Sequence, residues 1–272
     1  MMTTLSHSTS RAHAYAERAG IRLLQAIEAA GTDLFTVFQA TEVGAPLGLS
    51  SRHTVTLLHR LTTGGWLTRI KKGLYAINDP VTKLPKAHPF AIGAAIVTPA
   101  AVSHWSALKH WGLTEQVPAT VTLSSPVRTF PPRNFGHSGD RAAWIVAGIR
   151  YEFVAISRPR FFGVVGVWVN ERNRVPIFDR ERALLDAFHH THIFGSLSLA
   201  LDILDSHLAD IDLPRLVGYA VQLKVGAVAR RLGWTLARLG VPPDILAPLR
   251  DVPVRGYTPL DPGRPARGRR RR

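Results

Sequence analysis

The chain has 272 residues, 46% of them apolar, a formal net charge of +15 and no cysteine. That length and apolar share suit one large or two ordinary globular domains. Without cysteine there is neither a disulfide scaffold nor a cysteine-ligated zinc finger, and nothing demands an oxidising compartment. The charge is spread along the chain. Residues 1–80 hold eight Lys/Arg against five Asp/Glu, and residues 251–272 hold seven against two. A polyanionic partner and a generally arginine-rich composition account for this equally well. The first twenty residues contain no apolar run of signal-peptide type, and the most apolar stretch, residues 90–108, is interrupted by Pro99 and His104. No membrane span is expected, and the chain reads as cytoplasmic.

Residues 1–20 are small and polar and read as a flexible N-terminus. Apolar residues at Ile21, Leu24, Ala26 and Ile27 predict a first helix ending near Gly31. A second helix is expected over residues 35–43. Ser50 then precedes Val55, Leu57, Leu58 and Leu61, a helical spacing with a hydroxyl placed to cap the first amides, so a third helix should span residues 51–62. Gly64 and Gly65 stop it. Residues 66–70 alternate apolar with polar, and residues 74–77 can pair back on them through Lys71, Lys72 and Gly73. The stretch thus reads as helix, turn, helix and a two-stranded wing, over residues 21–80 in all.

With Val55, Leu58 and Leu61 turned to a core, the outward positions of the third helix are Ser51, Arg52, His53, Thr56, His59 and Arg60. A helix presenting such side chains fits a DNA major groove. Arg69, Lys71 and Lys72 on the hairpin would lie near phosphates and supply sequence-independent affinity by releasing counterions. The competing reading is a small domain with a solvated basic face.

Three prolines within residues 80–89 make an extended connector, after which a second domain is expected over residues 88–250. Two helices, over residues 90–97 and 103–111, lead into it, the second capped by Ser103 and stopped by Gly112. Strands are expected at residues 119–124, 144–146, 151–156 and 164–170. From Asp179 the pattern is helical, with helices at residues 180–189, 197–208, 213–223, 225–239 and 243–249. The fold class is therefore α+β: an N-terminal winged helix-turn-helix followed by a larger mixed domain with a helical C-terminal half. Residues 251–272 end in GRPARGRRRR and have too little apolar surface to fold alone, so a disordered arginine-rich tail is expected.

No constellation for catalysis emerges, and no cofactor is expected. His189, His190 and His192 invite a metal reading, but without cysteine or a glutamate at matching spacing they read as a partly exposed helix end. Asp202 and Asp205 are three apart in a helical pattern, not convergent on a strand as a two-carboxylate Mg²⁺ grip requires. Asp179, Glu181 and Asp186 read as first-turn and exposed-face helix charges. The tryptophans read as core.

Four blocks carry a resemblance: GLSSRHTVTLL at residues 48–58 with KKGLYAI at 71–77, SALKHWGLTEQVPATVTLSS at 106–125, IFDRERALLDAF at 177–188, and RRLGWTLARLG at 230–240. In this order they resemble the AbiEi-type antitoxins of abortive-infection systems, whose toxin is a nucleotidyltransferase. The basic run at Pro131, Pro132 and Arg133 and the arginine tail look longer than that family's minimum. The resemblance implies an N-terminal winged helix that binds double-stranded DNA and represses its own operon at inverted repeats. It also implies a C-terminal antitoxin domain that counteracts the toxin, commonly without touching it. A stand-alone regulator with a ligand-sensing second domain, or an enzyme using the basic tail, would be the alternatives.

Overall fold

The computed structural model describes residues 18–129 and 144–254. The expectations for the first seventeen residues, for the basic run at Pro131, Pro132 and Arg133, and for the arginine tail lie outside the described residues. The chain divides into two compact units. One comprises residues 1–96 with 145–149 and 168–175, and the other residues 97–144, 150–167 and 176–272. The architecture is α+β, and the helices of the second unit gather in its C-terminal half.

In the first unit, helix α1 covers residues 18–29. Strand β1 follows at Leu34–Thr36, then α2 at Val37–Gly44, α3 at Ser51–Thr63, β2 at Leu67–Lys71 and β3 at Leu74–Ile77. This order, with β3 between β1 and β2 in an antiparallel sheet, is the winged helix arrangement. The second helix starts later than its spacing predicts, because Leu34, Phe35 and Thr36 pair with Ala76, Tyr75 and Leu74. Thr36 then caps α2 in a reciprocal box with Gln39. That box fixes where strand ends and helix begins.

The core of this unit joins Leu23, Leu24 and Ile27 of α1 to Ala40 of α2, Leu57, Leu58 and Leu61 of α3, and Leu67 and Ile77 of the wing. Fully burying each of its leucines or isoleucines contributes roughly 1.5 to 3 kcal/mol. Between α2 and α3 the backbones approach closely. A Cβ on Gly44 would stand 3.0 Å from Thr54 Oγ1 and 3.5 Å from Leu23 Cδ1. The turn between them passes through Gly48 at φ +76, a conformation that disfavours other residues. Past the wing, α4 at Pro89–Ile96 completes the unit.

A six-stranded sheet, most of whose residues belong to the second unit, has the order β6-β7-β5-β4-β9-β8. Its strands are β4 (Ala101–Val102), β5 (Thr120–Ser125), β6 (Trp144–Val146), β7 (Ile149–Ala155), β8 (Val164–Trp168) and β9 (Arg174–Phe178). It is a mixed sheet, with β5 antiparallel to β4 and parallel to β7, and β4 parallel to β9. Strands β4 and β9 have no counterpart in the sequence expectation: one is two residues long, and Pro176 interrupts the other. Helix α5 runs over His104–His110.

Helix α6 at Arg180–His189 is the hub of the second unit, packing against α5, α8 (Leu197–His207), α9 (Leu213–Leu223) and α10 (Gly226–Arg238). Two single-turn helices, α7 at Thr191–Phe194 and α11 at Pro243–Leu246, fill the joints. The expected last helix stops early, because residues from Ala247 tighten into a 3₁₀ turn after α11. Eight of the ten residues of α6 are buried. The acidic groups expected on its exposed face are among the buried ones, as are Asp179 and Glu181 at its start. Asp179 accepts from the amide of Arg182 (2.9 Å) and from the Tyr219 hydroxyl (2.7 Å), and Glu181 accepts from the Asp212 amide (3.0 Å). These carboxylates hold α9 to α6.

Candidate nucleic-acid interface

Helix α3 begins where Ser50 Oγ accepts from the His53 amide at 3.3 Å, and it ends at Gly64, followed by Gly65 at φ +72. Its buried stripe is Thr54, Leu57, Leu58 and Leu61, positions i, i+3, i+4 and i+7. Val55 is therefore not a core residue. It is 47% exposed, and Leu57 takes the place the sequence pattern assigned to it. With that phase Thr54 is buried facing Gly44, where an added Cβ would stand 3.0 Å from its hydroxyl oxygen.

The opposite face is continuous. Ser51, Arg52, Val55, Thr56, His59 and Arg60 are exposed and His53 half-buried, so the polar positions expected on this helix share one side with Val55 among them. Thr56 Oγ1 donates to the carbonyl of Arg52 at 3.0 Å, which fixes its methyl as well as its hydroxyl. Phe38, on the first turn of α2, is 69% exposed. Sequence patterning counted Val55 toward a core and made no assignment for Phe38.

The wing is held from its base. Asn78 is buried, donates to the Gly65 carbonyl (3.1 Å) and accepts from Thr68 Oγ1 (2.8 Å). At the tip the three basic residues separate into different settings. Arg69 and Lys72 are exposed, whereas Lys71 is half-buried and its ammonium donates to the carbonyl of Ile96 at 2.7 Å. The pairing slips between Arg69 and Lys71, so the loop contracts to Lys72 and Gly73. Lys71, expected beside phosphate, spends one of its donors on holding the wing to α4. The carbonyl of Gly73 accepts from the Val37 amide at 3.0 Å, which sets the wing tip against the start of α2.

The second unit holds a different polar constellation. Arg182 is 1% exposed, and its guanidinium lies between the rings of Phe162 (4.6 Å) and Phe178 (4.3 Å). It donates to the carbonyl of Arg160 (2.7 Å) and to Asp186 Oδ1 (2.9 Å). Around Asp186 stand His104, His189 and His190. Ser103, expected to cap α5, caps nothing: its hydroxyl lies 2.8 Å from His104 Nδ1 and accepts from Ser124 at 2.9 Å. Burial lowers the His104 pKa to about 4 and that of His189 to about 3, keeping both rings neutral at pH 7.

Asp202 and Asp205 are exposed on α8. Trp105 and Trp111 are half-buried, with indole N–H groups on the carbonyls of Ile193 and Phe178, whereas Trp234 is nearly half exposed beside Arg238. Among the described residues, no helix is long and apolar enough to cross a membrane.

No curated protein matches the chain. A crystal structure of the Rv2827c protein from Mycobacterium tuberculosis is similar at 16% identity and a TM-score of 0.48, covering 83% of this chain and 78% of that one. Residues 23–78, which run from α1 to the end of the wing, match the model of a family described as transcriptional regulator, AbiEi antitoxin. Over those residues the winged helix is similar to the AbiEi antitoxin family of transcriptional regulators.

Proposed function

We propose that the chain is a DNA-binding antitoxin, without catalysis of its own, that represses its own operon in the cytoplasm and counteracts a nucleotidyltransferase toxin. The observation that carries this reading is the outward face of α3, where Ser51, Arg52, Thr56, His59 and Arg60 are exposed along one side of a helix whose other side is packed. Such a face offers guanidinium and imidazole donors to guanine edges and Val55 to a thymine methyl. Arg69 and Lys72 lie on the wing, in reach of the flanking backbone. The residues from 97 onward would supply the protective action, without requiring contact with the toxin.

The test is a binding titration of the full chain on the DNA upstream of its own reading frame, against a scrambled duplex of equal length. Specific binding should exceed the scrambled control by at least about a thousandfold. Arg52→Ala should cost about 1 to 3 kcal/mol on the specific duplex and little on the scrambled one. Equal affinity for both duplexes would remove α3 as a reader of sequence. Growth rescue of cells expressing the neighbouring nucleotidyltransferase would test the antitoxin half separately.

A further inference from the structure

The end of α6 brings together polar atoms that neither DNA binding nor the packing of the second unit fully uses. Asp186 and His189 lie three residues apart and Asp186 and His190 four, so the helix puts them on neighbouring positions of one face. One ligand-type atom from each lies within 4.8 Å of the others. Asp186 is fully buried. Arg182 occupies its Oδ1, while its Oδ2 and His189 Nδ1, both buried, have no hydrogen-bond partner among the described residues. Buried polar atoms without partners are rare and ask for a cause. His190 Nδ1 is 2.8 Å from His104 Nε2, so Nε2 is the nitrogen it has left to offer.

We propose that Asp186, His189 and His190 form a site for a divalent transition metal ion of the zinc class. Two imidazoles and one carboxylate are a donor set for Zn²⁺ and its neighbours, whereas Mg²⁺ and Ca²⁺ ask for more oxygens. Three ligands around one ion stand roughly 3.4 Å apart at metal–ligand distances near 2.1 Å, so the set closes by at most about 1.4 Å on binding. Imidazole rotation about its side-chain bonds provides that. The second nitrogen of His190 rests on His104, the outer contact by which a ligating ring is oriented. His104 in turn is held by Ser103, and Ser103 by Ser124 of β5. Its backbone sits at φ +51, a strained position for a non-glycine residue that this chain of contacts maintains. His189 and His190 are only half-buried and His192 is exposed beside them, which leaves an approach for the ion and for a water or His192 as fourth ligand. A bound ion would join the end of α6, through His190 and His104, to the sheet.

The experiment uses the untagged full chain, stripped with a chelator and titrated with Zn²⁺ against a chromogenic competitor, and in parallel with Co²⁺. One Zn²⁺ per chain is expected, together with the intense visible absorption of four-coordinate Co²⁺. The His189→Gln/His190→Gln double variant should lose both. His104→Gln should keep the Co²⁺ spectrum and weaken Zn²⁺ about 10- to 100-fold, as removal of an outer-shell partner does. Absence of stoichiometric binding by the wild-type chain overturns the proposal whether or not the variants fold. So does a folded double variant that binds Zn²⁺ as tightly as the wild type.

Discussion

Helices α3 and α6 are both rich in charged and histidine side chains, and they spend them in opposite directions. On α3 the two arginines and His59 are exposed and His53 is half-buried. On α6 the guanidinium and carboxylates are buried and answered within the unit, by the Arg160 carbonyl, the Asp212 amide and the Tyr219 hydroxyl. A charge left in water costs the fold nothing and is available to a partner, whereas a buried charge stabilises only if its own partners are in place. Charge content alone therefore says little about function. What separates the two helices is where their partners are.

The sharpest break of that contrast is at Arg182. Arg182→Leu leaves Asp186 buried without its cation and should cost about 3 to 5 kcal/mol in urea unfolding, while the double change Arg182→Met/Asp186→Leu should recover much of it. Equal losses from the single and double variants would show that shape, not charge pairing, matters there. Acid should act on the second unit next. His104 and His189 titrate near 4 and near 3 in the folded protein, both through burial, against about 6.5 in an unfolded chain. The folded state then takes up fewer protons below pH 6.5. Stability is therefore full above that pH and falls as the pH drops toward 4. Between pH 7 and pH 5 the loss should be on the order of 2 to 4 kcal/mol, measured by denaturant titration at both values. His104→Gln should remove about half of that dependence.

On the wing, two adjacent lysines provide a finer comparison. Lys71→Ala removes the bond to Ile96 and should lower stability by roughly 1 to 2 kcal/mol. Lys72→Ala should leave stability within about 0.5 kcal/mol and reduce the salt slope of DNA binding by about 0.9, the value of one phosphate contact. If the two variants exchange these effects, the assignment of the lysines is reversed.

Much of this was legible in local sequence. Ser50 and Gly64 bound α3, α6 and α9 fall at the residues their periodicity marks, and the wing was readable from its alternation and glycine. What escaped has a common cause. Strand β1 exists because β3, forty residues later, offers it hydrogen bonds, and β4 has only two residues of its own to announce it. Val55 was misplaced because hydrophobicity outweighed phase: Thr54, Leu57, Leu58 and Leu61 keep the helical interval, with a threonine where an apolar residue was sought. The burial of Arg182 and Glu181 on α6 could not be foreseen, since partners come from residues 160, 162 and 212. Ser103 shows the same limit on a smaller scale, a hydroxyl in a capping position that a distant serine and a histidine claim instead.

The close approach of Gly44 to Thr54 has a consequence for how such a protein can change. Because α3 is packed from behind through Thr54, Leu57, Leu58 and Leu61, the outward side chains carry no share of that task. They form an alphabet that can be rewritten one letter at a time without retuning the scaffold. On the reading of α3 proposed above, a lineage could move to a new operator by substitutions at positions 52, 55, 56 and 59, while a methyl group at position 44 would press on Thr54 and shift the helix behind every letter by a few tenths of an ångström.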